Sequence, residues 1–353
     1  MLASRIAYIS IESMDGKPFS GFHAVLNLLS FTLHLTKIFN EKMSETGNNN
    51  FSEESSKFHH RLEYFLFSSL KRWGQGASKN SLRRGALMLD GLLYYCLRIC
   101  RKIVKINLEF AFPKLSSMER KKIARENYRW FARFCMDVLN MDAWKGHTSE
   151  MVYCQNPEIL DQALSEKKGV LLISGHFGNW EMIPPALAEK GYKVVMYVGR
   201  QTNPLTNQLQ NTARAGFGVE TIDKGKRATL QMGRALAENK IIAMLVDQND
   251  NKSDLFVNFF GKLASCSKGT PAFHLLRRSP VVLVTCPYVG NRLEINFQHI
   301  PFELTGEQEK DTLEVAQKIT SALEKVIRQY PEQYFWMHRR WRARPPQDPE
   351  PIY

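Results

Sequence analysis

Four short runs, apolar on both faces and closed by turn residues, most constrain what this chain can fold into: Gly169 to Ser174 (GVLLIS), Lys193 to Val198 (KVVMYV), Ile241 to Val246 (IIAMLV) and Pro280 to Cys286 (PVVLVTC). A strand that is apolar on both faces has to be covered on both, as in a parallel sheet held between helical layers. Helical stretches separate the runs, at Pro185 to Lys190, Asn203 to Ala215, Lys226 to Glu238 and Thr270 to Arg278, and a longer one follows from Glu307 to Gln329. The alternation predicts an α/β fold, a mostly parallel twisted sheet flanked by helices.

Upstream the pattern changes. From Arg61 to about Trp144 the apolar residues recur at helical spacing, and Ser116 with Glu119 has the spacing of a capping box. The first 60 residues differ again and end in the polar run Ser44 to Lys57, which reads as a linker or loop. The expected organisation is therefore an extension with polar linker over 1–60, a helical, membrane-associated region over 61–150 and an α/β catalytic domain over 151–345. Met43 stands just before the polar run and is an alternative start of translation. No N-terminal stretch reads as a secretory signal, because Glu12, Asp15 and Lys17 break the first apolar runs, so the catalytic part is expected in the cytoplasm.

A hydrophobic content of 44% in 353 residues supplies a real core and excludes a disordered chain. The formal net charge of +13 calls for an anionic partner: nucleic acid, acidic lipid headgroups or an acidic carrier protein. A membrane-crossing helix needs roughly 20 nearly uninterrupted apolar residues. Phe22 to Phe39 is interrupted by His23, Asn27, His34 and Lys37, and Ala86 to Ile106 by Asp90, Arg98, Arg101, Lys102 and Lys105. The second pattern suits a helix lying in the headgroup plane, or an amphipathic core helix. The six cysteines form no CxxC pair and no zinc-like spacing with histidine, so they read as buried thiols in a reducing compartment, and no metal site is expected.

The chemistry-bearing feature is Gly175-His176-Phe177-Gly178-Asn179-Trp180-Glu181, directly after the run GVLLIS. Reactive groups in open α/β sheets collect beyond the carboxyl ends of strands. Five residues do not bring His176 and Glu181 to one helical face, but a backbone turn at the intervening Gly178 can let them meet. A hydroxyl attacks a thioester only if a base takes its proton, and imidazole titrates in the useful range. Glu181 then holds one ring nitrogen and steadies the imidazolium, as a triad carboxylate does. The residues alone also allow a helix-capping histidine beside an unrelated surface glutamate.

GHFGNWE resembles the H-x4-D/E motif of the bacterial lipid A late acyltransferases, the lauroyl and myristoyl transferases, and of the wider lysophospholipid acyltransferase-like superfamily. Further segments resemble the same family in the same order: Asn107 to Pro113 with Met118-Glu119-Arg120, Asn203-Pro204, Arg214, Asp247-Gln248, Phe259-Phe260-Gly261, and Pro331 to Arg342. The resemblance covers Arg61 to Arg344 and implies that His176 is the general base and Glu181 its partner. It also implies that Arg214 and Asp247 belong to the active site, with Arg214 on an acceptor phosphate or the developing oxyanion. Asn179 within the motif and Arg200, at the end of KVVMYV, are further substrate-binding candidates. Taken singly, Arg214 also reads as a solvated helix residue and Asp247 as the N-cap of the next turn. Phe259-Phe260 reads as an acyl-channel lining or as core. The tail His338 to Arg342 mixes cations and tryptophan as interfacial segments do, or as a platform for single-stranded nucleic acid, a reading that no RNA-binding signature accompanies.

The resemblance implies acyl transfer from acyl carrier protein, or CoA, to a hydroxyl of a lipid A precursor or related glycolipid. The chemistry asks for no cofactor. The implied partners are acyl carrier protein, the glycolipid acceptor and an anionic membrane surface, with no nucleic acid. The implied place is the cytoplasmic face of the bacterial inner membrane, peripheral or shallowly anchored. Two alternatives stand beside this: another acceptor, such as a phosphatidylinositol mannoside, an aminolipid or a lysophospholipid, and a thioester or lipid hydrolase on the same scaffold.

Overall fold

The computed structural model describes residues 49–199, 201 and 203–353. Phe22 to Phe39, Met43 and Arg200 lie outside the described residues. The described residues begin with four helices: α1 (Asn49–Gly76), α2 (Lys79–Gly91), α3 (Arg101–Ala111) and α4 (Ser117–Asn140). The expected linker Ser44 to Lys57 is therefore helical from Asn49 onward, because SEESSK contains neither glycine nor proline to stop the helix that the apolar stripe downstream supports. The capping box at the start of α4 is present, with Glu119 N donating to Ser116 Oγ at 3.2 Å and Ser116 N donating to Glu119 Oε2 at 2.7 Å. The stretch Ala86 to Ile106 is not one helix. It passes from α2 through a π-helical turn (Leu92–Cys96) and turns sharply, with Arg98 and Cys100 at φ 52° and 53°, before α3 begins. No helix of the described residues is long and apolar enough to cross a membrane.

A short α5 (Thr148–Met151) leads to β1 (Val152–Cys154) and α6 (Glu158–Ser165). The alternating unit follows: β2 (Val170–Ser174), α7 (Ile183–Glu189), β3 (Val194–Val198), α8 (Pro204–Gly216), β4 (Glu220–Asp223), α9 (Ala228–Ala237) and β5 (Ile241–Leu245). A hairpin, β6 (Phe256–Phe259) and β7 (Lys262–Ser265), stands apart from the main sheet. Then come α10 (Gly269–Arg277), β8 (Val281–Thr285), β9 (Tyr288–Val289), β10 (Arg292–His299) and α11 (Gln308–Gln329). The main sheet runs β1-β10-β8-β2-β5-β3-β4, with β9 on β10. Its pairs are parallel except where β10 meets β8 and β9. The mostly parallel sheet expected from the four apolar runs is thus present, and β2 and β8 at its centre are buried at every position.

One hydrophobic core joins the helical region to the sheet. The C-terminal segment is part of that core, which corrects the interfacial reading: Trp336 and Trp341 are about 1% exposed or less, and Arg340 is buried with its guanidinium donating to Ser265 O at 2.7 Å. Two buried asparagines hold this segment from the helical side. Asn107 Nδ2 donates to Trp336 O and His338 O at 2.7 and 2.8 Å, and Asn127 Nδ2 to Glu332 O and Tyr334 O at 2.8 and 2.7 Å. Backbone carbonyls in an irregular buried segment must find donors, and these amides provide them. Phe259 and Phe260 are buried against Trp341, Trp336 and Phe112, as core residues. Phe260 and Gly261, both at positive φ, make the tight turn of the hairpin.

Candidate active site

Sheet register brings the central pair together. Ser174, the last residue of β2, lies opposite Leu245, the last of the adjacent parallel strand β5. Two residues beyond each strand stand His176 and Asp247. Asp247 grips the histidine twice, accepting from its backbone N at 2.9 Å through Oδ2 and meeting ring Nδ1 at 2.8 Å through Oδ1. Burial pushes the Asp247 carboxyl upward, but the facing His176 and its hydrogen bonds more than offset that and hold it down at about 2. An ionised acceptor at Nδ1 fixes the ring proton there and leaves the lone pair on Nε2, which faces Gln248 Nε2 at 3.3 Å.

Glu181 does not take the position expected of it. The carboxylate on Nδ1 belongs to Asp247, while Glu181 Oε2 lies 3.6 Å from a terminal nitrogen of Arg214 on α8. The cause is topological: parallel neighbours deliver equivalent positions to the same edge, whereas five residues of loop carry Glu181 past the ring. Arg214 is buried, so its solvated-helix reading is set aside, and it has a second contact at 3.3 Å to Asn211 Oδ1. His176, Asp247, Glu181, Arg214 and Asn179 are all 6% exposed or less, which makes this a desolvated charge cluster.

The loop's shape depends on what lies under it. Gly178 adopts φ +61° and lies against the backbone of Cys286, where no side chain fits. Asn179 N donates to Cys286 O at 2.7 Å, Gly178 N to Gln333 O at 2.9 Å, and Phe335 N to His176 O at 2.9 Å. The C-terminal segment thus holds the loop as well as filling the core. It also brings residues that sequence reasoning assigned no part in the site. Tyr334 donates its hydroxyl to Asp247. His338 is held neutral by burial, which depresses its pKa to about 3, and its Nε2 accepts from Asn249 N at 2.9 Å. The motif HRRWR contained the signal, but its cations pointed outward in the reading of composition. Trp180, stacked on Phe134 with centroids 4.1 Å apart, presses its ring against His176 at 5.1 Å.

Asn179 is the middle of a buried chain. Its Nδ2 donates to Tyr288 Oη at 3.1 Å, and Tyr288 Oη donates to Asp137 Oδ2 on α4 at 2.7 Å. The amide's Oδ1 accepts from Met182 N at 3.3 Å, so it ties the loop to the helical region and does not present itself to a ligand. Burial raises the Asp137 carboxyl to about 6 despite the Tyr288 bond. The folded state therefore binds this proton more tightly than the unfolded state, and stability contributed by the protonated acid is lost as pH rises from the ordinary carboxylate range through about 6. Asp137→Asn keeps an acceptor for Tyr288 and removes the ionisation. It should raise stability at pH 8 by on the order of 2 kcal/mol and by little at pH 4.5. Thermal melts of both proteins at the two pH values check this, and a difference independent of pH is the contrary result.

The model of the family described as bacterial lipid A biosynthesis acyltransferase matches residues 81–343. A lipid A biosynthesis lauroyltransferase of Escherichia coli (strain K12) is 27% identical over 250 residues, 69% of this chain and 79% of its own length. A lipid A biosynthesis palmitoleoyltransferase of the same organism is 25% identical over 258 residues, with coverage of 69% and 79%. A lipid A biosynthesis acyltransferase of Haemophilus influenzae is 26% identical over 259 residues, with coverage of 71% and 80%. The matched span holds the whole cluster, from Asp137 on α4 through the histidine loop to His338. With three quarters of the chain matched and the histidine loop inside the match, this protein belongs to the bacterial lipid A biosynthesis acyltransferase family and is an O-acyltransferase.

Proposed function

We propose that the enzyme transfers a fatty acyl chain from a thioester on acyl carrier protein to a hydroxyl of a lipid A precursor, with His176 as general base and Asp247 as the carboxylate that orients it. The observation that carries this is the 2.8 Å contact between Nδ1 and Asp247, because it puts the basic lone pair on Nε2. The acceptor hydroxyl replaces Gln248 at Nε2 and gives up its proton as its oxygen bonds to the thioester carbonyl carbon. The tetrahedral intermediate collapses, the carbon–sulfur bond breaks, and the imidazolium returns the proton to the departing thiolate. Arg214, steadied by Glu181, supplies positive charge for the acceptor's phosphate or the tetrahedral oxygen. A net charge of +13 suits an acidic carrier protein as the donor.

The test is an in vitro assay with acyl carrier protein and CoA thioesters, offered with and without a phosphorylated glucosamine disaccharide lipid. Acylated disaccharide is the expected product. Free fatty acid at the same rate with and without acceptor indicates a hydrolase and overturns the proposal.

The membrane is the second partner proposed. Exposed Phe65 on α1, Leu87 and Met88 on α2 and Tyr95 just beyond are each at least 60% exposed, and between Lys79 and Ile106 seven Lys or Arg accompany one acid, Asp90. Asp90 is buried in an ion pair with Arg125, so it offers nothing to set against the cations. Exposed apolar side chains in a stretch rich in cations match an anionic bilayer surface. Leu87→Glu with Met88→Glu should lower partitioning onto vesicles rich in anionic phospholipid by at least about tenfold, given some 1.5 kcal/mol or more per large apolar side chain inserted. Co-sedimentation measures it, and unchanged partitioning refutes the assignment of this face.

A further inference from the structure

Helix α8 buries no hydrocarbon in full. Its buried residues are Thr206, Gln210 and Arg214, and Gln201 and Asn203 just before it are buried too. Spacings of three, four and four from Asn203 place these side chains in one row on one face. A face turned into a protein is ordinarily aliphatic, since every buried polar group must be paired or paid for in stability. Most of the row is paired. Asn203 Nδ2 donates to His60 O at 2.9 Å, Thr206 Oγ1 to Asn203 O at 3.1 Å, and Glu63 of α1 bonds to both side chains. Gln210 is the exception. Its Oε1 accepts from Gln201 Nε2 at 3.4 Å, while its Nε2, in a residue 3% exposed, has no partner among the described residues.

A buried amide donor left unpaired costs about 1–3 kcal/mol, and leucine or methionine fills a similar volume at no such cost. Arg214 follows four residues later, about 6 Å along the axis, and reaches the Glu181 carboxylate of the histidine loop. The row therefore leads from neutral amides to a cation at the reactive centre. Amides that both donate and accept suit hydroxyl and amide groups, and a guanidinium suits an anion. An acyl chain offers neither. We infer that this face of α8 is the subsite for the sugar of the acceptor, with Gln210 Nε2 donating to a sugar hydroxyl or amide carbonyl and Gln201 holding the Gln210 amide in place. The inference rests on the proposed glycolipid acceptor and names the residues that recognise its head.

Gln210→Leu and Gln210→Met provide the test, in the assay described above. Both should raise KM for the disaccharide lipid by at least about fivefold, the loss of one good hydrogen bond. KM for the acyl donor should stay within twofold, and Tm should stay close to that of the unmodified enzyme, because the unpaired donor of Gln210 goes together with the acceptor that Gln201 Nε2 uses. An acceptor KM within twofold for both variants overturns the inference while leaving the proposed function intact. A lowered Tm with both KM values raised marks Gln210 as a packing residue and overturns it as well. Failure of the unmodified enzyme to acylate any disaccharide lipid removes the proposed function, and this subsite with it.

Discussion

Asp247→Asn should lower kcat for acyl transfer by at least about 10²-fold, with the protein still folded, because it removes the base without removing the histidine. The asparagine carbonyl can accept from only one of the two His176 donors that Asp247 serves, the backbone N or ring Nδ1. If the carbonyl stays on the backbone N, the amide N–H faces Nδ1 and forces the ring proton to Nε2, which then has no lone pair for the hydroxyl. His176→Ala should show a loss of similar size, and the double variant little more than either alone, since the two residues act as one unit. Glu181→Gln changes a different interaction: it leaves Arg214 buried beside a neutral amide. Rates of acylated-lipid formation with purified variants decide the matter. A kcat for Asp247→Asn within tenfold of the unmodified enzyme removes Asp247 from the mechanism.

The identity of the orienting carboxylate marks the limit of what the sequence disclosed. The loop after GVLLIS, its histidine and the α/β layer around it are all local features, written in short apolar runs and their punctuation. Which acid meets the ring is a property of register between β2 and β5, 71 residues apart, and proximity in the chain favoured Glu181 instead. A structural signal for Asp247 was present: it ends its strand as His176 ends its own, two residues beyond the last paired position of each. The strands that escaped notice, such as β4 (ETID) and β10 (RLEINFQH), are partly exposed and interleaved with charge, so they lack the two-faced apolar character of the central four. The tail was misjudged for a related reason. Composition shows that HRRWR carries three arginines, but not that Arg340 finds a buried carbonyl and Trp341 a wall of Phe259 and Phe110.

Gly178→Ala should cost at least about 4 kcal/mol and take catalysis with it, because three penalties fall on one methyl group. A φ of +61° costs an L-residue about 1–2 kcal/mol. The added Cβ falls 2.1 Å from Cys286 O, 2.5 Å from Cys286 C and 2.8 Å from Pro287 N, all backbone atoms that no rotamer change can move aside. Relief requires the loop to lift from the segment after β8, which breaks the bonds from Asn179 N to Cys286 O and from Gly178 N to Gln333 O, each contributing about 0.5–1.5 kcal/mol. Those same bonds set the position of His176 two residues earlier, so a surviving folded fraction should also be poorly active. Gly175→Ala is the control within the same loop. Its Cβ meets Leu323 Cδ2 at 2.7 Å, the far end of a flexible side chain, and its φ is not in the left-handed region, so that protein should fold with a smaller loss. Thermal melts of the two variants separate the cases: a Gly178→Ala protein no less stable than Gly175→Ala means that the loop does not lie on Cys286 as described.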